Sequence, residues 1–240
     1  MNVRRRAVAA RAVAAGVAAA LVLAGCGSGH PSGTATRGPQ ASDLYAAARR
    51  SAMSADSAHV TGRSTQGGVT RTIDLQGNRA GTNVRVLLAT PDDGSVEIRV
   101  VDGVTWLKGD RTYWAAQSGA RVPDSVVGRF VRLPGDQAKA SGLTLAGVLH
   151  DVFSRTELGS VDVLNAAVDT GTVDGGKAFV LSQRINGDGA RMFVSADPRH
   201  DLLRVDGTKK NPGTLRFSQW NAVPEVTAPP AGQVAVLPTR

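Results

Sequence analysis

The chain has 240 residues, 42% hydrophobic and 20% charged, with a formal net charge of +8. That length and mixture suit one globular domain or two small ones, and they exclude disorder as a description of the whole. A single cysteine excludes an internal disulfide and any cysteine-based zinc site.

Arg4, Arg5, Arg6 and Arg11 open the chain without an acid, and Ala12 to Gly25 then run uncharged for 14 residues. A basic start, a short apolar stretch and small residues before Cys26 form an export signal, too short to span a bilayer as a permanent helix. Leu23-Ala24-Gly25-Cys26 resembles the bacterial lipobox. The resemblance implies a diacylglyceryl group on the Cys26 thiol and cleavage that leaves Cys26 as the new N-terminus. Two acyl chains hold where one binds only marginally. Arg5-Arg6 raises the twin-arginine route, but the bulky residues that usually follow the pair are missing, which favours general secretion. The expected location is the outer face of the cytoplasmic membrane. Losing residues 1–25 leaves 24 basic against 20 acidic residues, a net +4. The remaining cations are scattered, with no run longer than a pair such as Lys209-Lys210. A nucleic-acid surface would need them clustered.

Residues 26–41 are rich in Gly, Ser, Thr and Pro and read as a flexible tether. The folded domain is expected over 42–240. Ser42 is placed to cap a helix in which Leu44, Ala48 and Ala52 share one face. From His59 the pattern changes to short strands. Ile73 and Leu75, then Val84, Val86 and Leu88, then Val96, Ile98 and Val100 alternate with polar residues. Gly67-Gly68, Gly77-Asn78, Asp92-Asp93-Gly94 and Asp102-Gly103 mark turns between them. Two further strands are expected at Val104–Leu107 and Thr112–Ala115, joined by a turn at 108–111. The short connections predict an antiparallel meander.

Asp124 to Phe130 suggests a helical turn. A second amphipathic helix is expected where Leu143, Leu145, Val148, Leu149, Val152 and Phe153 repeat every three or four residues. Strands resume at 166–172, 177–183, 192–196, 202–205 and 215–219, with a hairpin signal at Asn186-Gly187. The tail from Pro224 is expected to wrap the outside or end in an edge strand.

Catalytic signatures are missing. There is no Gly-x-Ser-x-Gly elbow and no phosphate-binding glycine loop, and the four histidines are dispersed. Asn186-Gly187-Asp188-Gly189 lacks the later ligands of a calcium loop. Trp106, Trp114 and Trp220 could serve a carbohydrate face, but partial burial explains them better. A hydrolase would need His, Asp and Ser gathered in one cleft. The reading is therefore of a protein that is not an enzyme and needs no cofactor or metal.

One layout is familiar. Asp43 to Ala48 precedes His59-Val60-Thr61-Gly62; Val101-Asp102-Gly103-Val104-Thr105-Trp106-Leu107-Lys108-Gly109-Asp110 and Tyr113-Trp114 come next. Val173 to Ala178, Phe217-Ser218-Gln219-Trp220 and Ala228-Pro229-Pro230 follow. This order resembles the actinobacterial lipoproteins of the LppX/LprG type, which share the LolA-like fold. The resemblance implies an α+β half-barrel: a strongly curved antiparallel sheet with helices covering its open side. It also implies an apolar pocket that holds acyl chains, so that the partners would be a lipid or lipidated ligand and, through acylated Cys26, the membrane. Leu44, Ala48, Val84, Val86, Val96, Ile98, Val100, Met192 and Val194 are the candidate lining residues. The same residues could instead form a closed core. The alternative function is an envelope protein-binding or sensor module on the same fold.

Overall fold

The computed structural model describes residues 38–118, 123–133, 144–154, 166–183 and 189–235. Residues 1–25, read as an export signal, Cys26, most of the expected tether, Leu143 and the hairpin signal at Asn186-Gly187 lie outside these residues. The elements in chain order begin with α1 (Ala41–Ser54), β1 (Ser57–Gln66), β2 (Val69–Asn78), β3 (Asn83–Thr90), β4 (Gly94–Val101) and β5 (Val104–Gly109). There follow α2 (Arg111–Ser118), β6 (Val131–Leu133) and α3 (Leu145–Phe153). The chain then continues through β7 (Ala166–Val173), β8 (Gly176–Gln183), β9 (Arg191–Ser195), β10 (Leu202–Asp206) and β11 (Gly213–Ser218).

All eleven strands form one antiparallel sheet in the order β6-β5-β4-β3-β2-β1-β11-β10-β9-β8-β7. Two meanders, one from each half of the chain, are thus stitched together where β1 pairs with β11. The edge strands β6 and β7 do not pair, so the sheet is open. This is the α+β architecture expected: an antiparallel sheet with helices against one face.

Strand alternation sends every second side chain to that face, and the register lines these residues up across strands. Val131, Leu107, Ile98, Val86, Leu75, Val60 and Phe217 sit opposite one another in one row. The next row runs from Val96 through Leu88, Ile73, Gly62, Leu215, Val205, Met192 and Leu181 to Val168. Gly62 is the one position in that row without a side chain, and the reason is space. A Cβ there would lie 2.1 Å from the Thr214 carbonyl oxygen and 2.9 Å from Leu215 Cδ2.

The other face is charged. Glu97, only 7% exposed in its side chain, accepts from Arg85 Nε at 3.0 Å and Arg99 Nε at 2.9 Å, with Lys108 Nζ at 3.4 Å. Burial pushes its carboxyl up, but the hydrogen bonds and charges of Arg99 and Arg85 outweigh burial and hold it below the ordinary value of 4.5. Arg99 and Lys108 also lie 4.9 and 5.1 Å from the Phe130 ring centre, a cation–π pair on a fully buried ring. The tail straps this face. Asn83 brackets the Val226 peptide with two 2.8 Å hydrogen bonds, and Phe130 pairs in parallel with Val234.

Three local expectations need correction. The segment Thr112–Ala115 is helical, inside α2, because Asp110 acts as a cap and not as a hairpin residue. Its Oδ1 accepts from Tyr113 N at 2.7 Å and its Oδ2 from Ser95 N and Oγ at 2.8 Å each. Ser42 lies within the first turn of α1; the flanking residue is Gln40, whose carbonyl accepts from Asp43 and Leu44 at 3.1 Å. Residues 124–128 fold as turns, not as a helix. The second amphipathic helix expected is α3, Leu145–Phe153, with Thr144 Oγ1 capping Gly147 N at 3.1 Å.

Gly94 adopts φ +75°, and a Cβ would lie 2.3 Å from Asp110 Oδ1 and 2.7 Å from Tyr113 N. Gly94→Ala should therefore cost about 1–3 kcal/mol in urea unfolding. For Glu97, a depressed folded pKa means stabilisation that is complete above 4.5 and fades as pH falls through the folded value. Glu97→Gln should lose about 1–3 kcal/mol at pH 7, and denaturant titrations should show the gap to the parent closing below pH 4.5.

Candidate functional site

Two helices meet over the apolar face. α1 buries Ala41, Leu44, Ala48 and Ala52 against β7, β9 and β10, while α3 buries Leu145, Leu149, Val152 and Phe153 against β1 and β2. The helices touch each other through Tyr45 and Phe153, whose rings meet edge to face at 5.6 Å, and Tyr45 Oη donates to the Phe153 carbonyl at 3.3 Å. The sequence pattern accounts for both contacts, since each helix directs one stripe inward at spacing three and four.

The candidate lining residues gather here. Leu44, Ala48, Val84, Val86, Val100, Met192 and Val194 belong to one buried cluster, each at most 3% exposed, and Ile98 packs on it half-buried. Val96 is buried but stands apart from that cluster. Fully buried Leu75, Leu181 and Leu202 share the site without having been nominated, as do Leu145 and Leu149 of α3. Leu75 already stood in an alternating row; register across β1 and β11 was the missing information. Here these side chains pack on one another in one cluster beneath the two helices.

The two lids are held unequally. α1 offers the core one leucine and three alanines, worth about 5 kcal/mol from burial, the equal of about six methylenes, with Tyr45 and Met53 packed half-buried beside them. α3 is anchored by four larger side chains, among them Phe153.

On the outer flank of α1 lies an open groove of about 820 Å3, between Ala47, Arg50, Ser51 and Ser54 on the helix and the turn Pro198–Asp201, with Asn221 at one end. Ser, His and Asp do come together in it. Ser51 Oγ donates to Asp201 Oδ1 at 2.5 Å, whereas His200 Nδ1 donates to the Ser195 carbonyl at 3.1 Å. No hydrogen bond links Ser51 or Ser54 to His200, and activation of a serine nucleophile requires that link. Among the described residues, no three His, Cys, Asp or Glu converge as a metal site, and no helix is long and apolar enough to cross a membrane. The tryptophans are half-buried. Trp220 stacks on Phe217 at 5.9 Å and donates Nε1 to the Leu202 carbonyl at 3.0 Å, a structural role.

Leu44→Ala should cost about 2–4 kcal/mol in thermal or urea unfolding, because it removes the one large side chain that α1 buries fully.

No family model matches the sequence, and no curated protein matches it. Similar solved structures include the lipoprotein LppX of Mycobacterium tuberculosis, 15% identical, covering 77% of this chain and 98% of that one with a TM-score of 0.43. LprF of Mycobacterium bovis is 13% identical, covering 79% and 96% with a TM-score of 0.48. The Pseudomonas aeruginosa MucA/MucB complex is 16% identical, covering 82% and 60% with a TM-score of 0.32.

Proposed function

We propose that this chain is a lipid-anchored envelope lipoprotein that binds or carries acyl chains between its sheet and helices, without catalysing a reaction. One observation carries the reading: an apolar lattice crosses the sheet beneath two helices, one of them lightly held. Most domains of this size bury such a face under large, interlocking side chains. Here α1 meets it with three alanines and Leu44, with Tyr45 and Met53 at the margin, so an acyl chain that displaces the helix regains much of what the helix gives up. Each buried methylene contributes about 0.8 kcal/mol, and a chain of ordinary length outbids the stripe Ala41, Leu44, Ala48, Ala52. Bound lipid would sit among Val84, Val86, Val100, Met192 and Val194, with Ile98 and Val96 toward β4. Release follows when α1 returns or when a membrane competes for the chains.

Anchoring rests on the sequence that precedes the described domain. Cys26 follows an apolar run and small residues, and the described domain begins within about fifteen residues of it, so a tether of that length holds the domain near the bilayer.

The experiment uses Cys26→Ser in the producing cell. The parent should fractionate with membranes and the variant should not. Native mass spectrometry of the released variant should find co-purified lipid, and the lipid-stripped protein should take up a fluorescent fatty acid. Protein that is empty when isolated and takes up no acyl probe overturns the lipid reading. A stable envelope protein captured by the same empty variant would then favour the protein-binding module.

A further inference from the structure

The two edges of the sheet are finished differently. β6 is three residues long, and the tail closes beside it: Phe130 N donates to the Gln233 carbonyl at 2.8 Å, and Ala235 N donates to the Phe130 carbonyl at 2.7 Å. β7 is eight residues long, pairs with β8 through an unbroken register, and has no described strand on its other side. Proteins commonly blunt such an edge with a bulge, a proline, a lysine or a covering segment. Ala166–Val173 contains no proline and no lysine, its ladder has no bulge, and exposed Asp169 is its one charge.

The turn that ends β7 decides which of its backbone groups face outward. Asp174 and Gly175 join β7 to β8 with φ +49° and +82°, the two left-handed residues of a tight hairpin. Val173 and Gly176 close that turn and exchange hydrogen bonds. Counting back by twos, Gly171, Asp169 and Ala167 also bond toward β8, while Thr172, Thr170, Val168 and Ala166 aim their N–H and C=O groups away from it. Lys177, opposite Thr172, fits the alternation, since its carbonyl accepts from Ala196 N, just past β9, at 3.1 Å. The outward row is the pattern that an added extended strand pairs with.

The strand's own sequence suits a second copy of itself. Two antiparallel β7 strands pair only when outward residues face outward residues, so a two-fold axis passes through the same residue of both. Two such registers overlap most of the strand: 166–172 about Asp169, and 167–173 about Thr170. The first sets Asp169 directly opposite Asp169, where like charges repel. The second sets Thr170 opposite Thr170, Asp169 opposite Gly171, Val168 opposite Thr172 and Ala167 opposite Val173. Paired threonines stabilise antiparallel strands, and the two carboxylates then stand diagonally about 7–8 Å apart. We propose that β7 is a self-association edge, at which a second copy of this chain adds its own β7 antiparallel with Thr170 on the two-fold axis. The sheet then continues across two molecules, independently of any lipid. A lone strand pair covers less than about 800 Å2 per partner, the area of a stable complex, so the dimer forms at high protein concentration and parts on dilution.

The test uses the full chain carrying Cys26→Ser, which removes its one cysteine. In sedimentation velocity it should shift from monomer toward dimer between micromolar and millimolar concentration. Thr170→Pro, at a position whose N–H faces outward, keeps the ladder to β8 and should stay monomeric throughout. Thr170→Cys should form an intermolecular disulfide on mild oxidation, since facing positions lie about 5.5 Å apart. Asp169→Cys, offset from its copy, should crosslink at least about tenfold more slowly. A parent that is still monomeric at millimolar concentration overturns the proposal. So does a dimer that survives in a Thr170→Pro chain whose unfolding transition matches the parent's. Should that variant not fold, the two cysteine variants decide: equal crosslinking, or none, places the contact elsewhere and overturns the proposal. Acyl uptake by the same chain is read separately, so failure here leaves the lipid reading standing.

Discussion

The seam between β1 and β11 is the constraint on which the rest of the molecule depends. Six described ladder positions, from His59 opposite Ser218 to Ser64 opposite Gly213, join two meanders that otherwise share no strand pairing. At its middle Gly62 lets the Thr214 and Leu215 backbone come closer than any side chain would permit. Without that approach the two apolar surfaces would be separate half-sheets, each under its own helix. With it they form one continuous face, on which α1 rests over the second meander and α3 over the first. The contact between Tyr45 and Phe153 then bridges the helices above the same join.

The two faces of the sheet do different work. The charged face is closed by Glu97 and its three cations and by the tail that Asn83 grips, and it changes little if the helices move. The apolar face is covered by elements that differ in grip: α3 buries four large side chains, α1 buries one with Tyr45 and Met53 half-buried beside it.

Much of this architecture was legible in the sequence. Alternation in Val84–Leu88 and Val96–Val100 fixed both strands and the inward face, and Gly-rich or Asp-rich turns fixed the antiparallel connections. Seven of the nine candidate lining residues emerged from the same rule, since period two decides the face without knowledge of neighbours; Leu44 and Ala48 came from helical spacing. What local pattern could not supply was pairing at long range. Leu181 and Leu202 are fully buried on β8 and β10, strands whose place in the sheet is set by that pairing. Asp110 misled for a similar reason: an Asp between two short apolar runs suits a hairpin, and its role as a cap depends on Ser95, fifteen residues back. The groove was invisible because Arg50, Arg199 and Asn221 come from three distant segments.

Joining the first strand to the last has a temporal consequence. A chain made from its N-terminus delivers β11 near the end of its synthesis. Until then β1 has only one neighbour, and its free edge can pair with any strand that comes near. The sheet therefore completes in a late step of high contact order. A lesion in Gly213–Ser218 would harm biogenesis before it harmed any finished site.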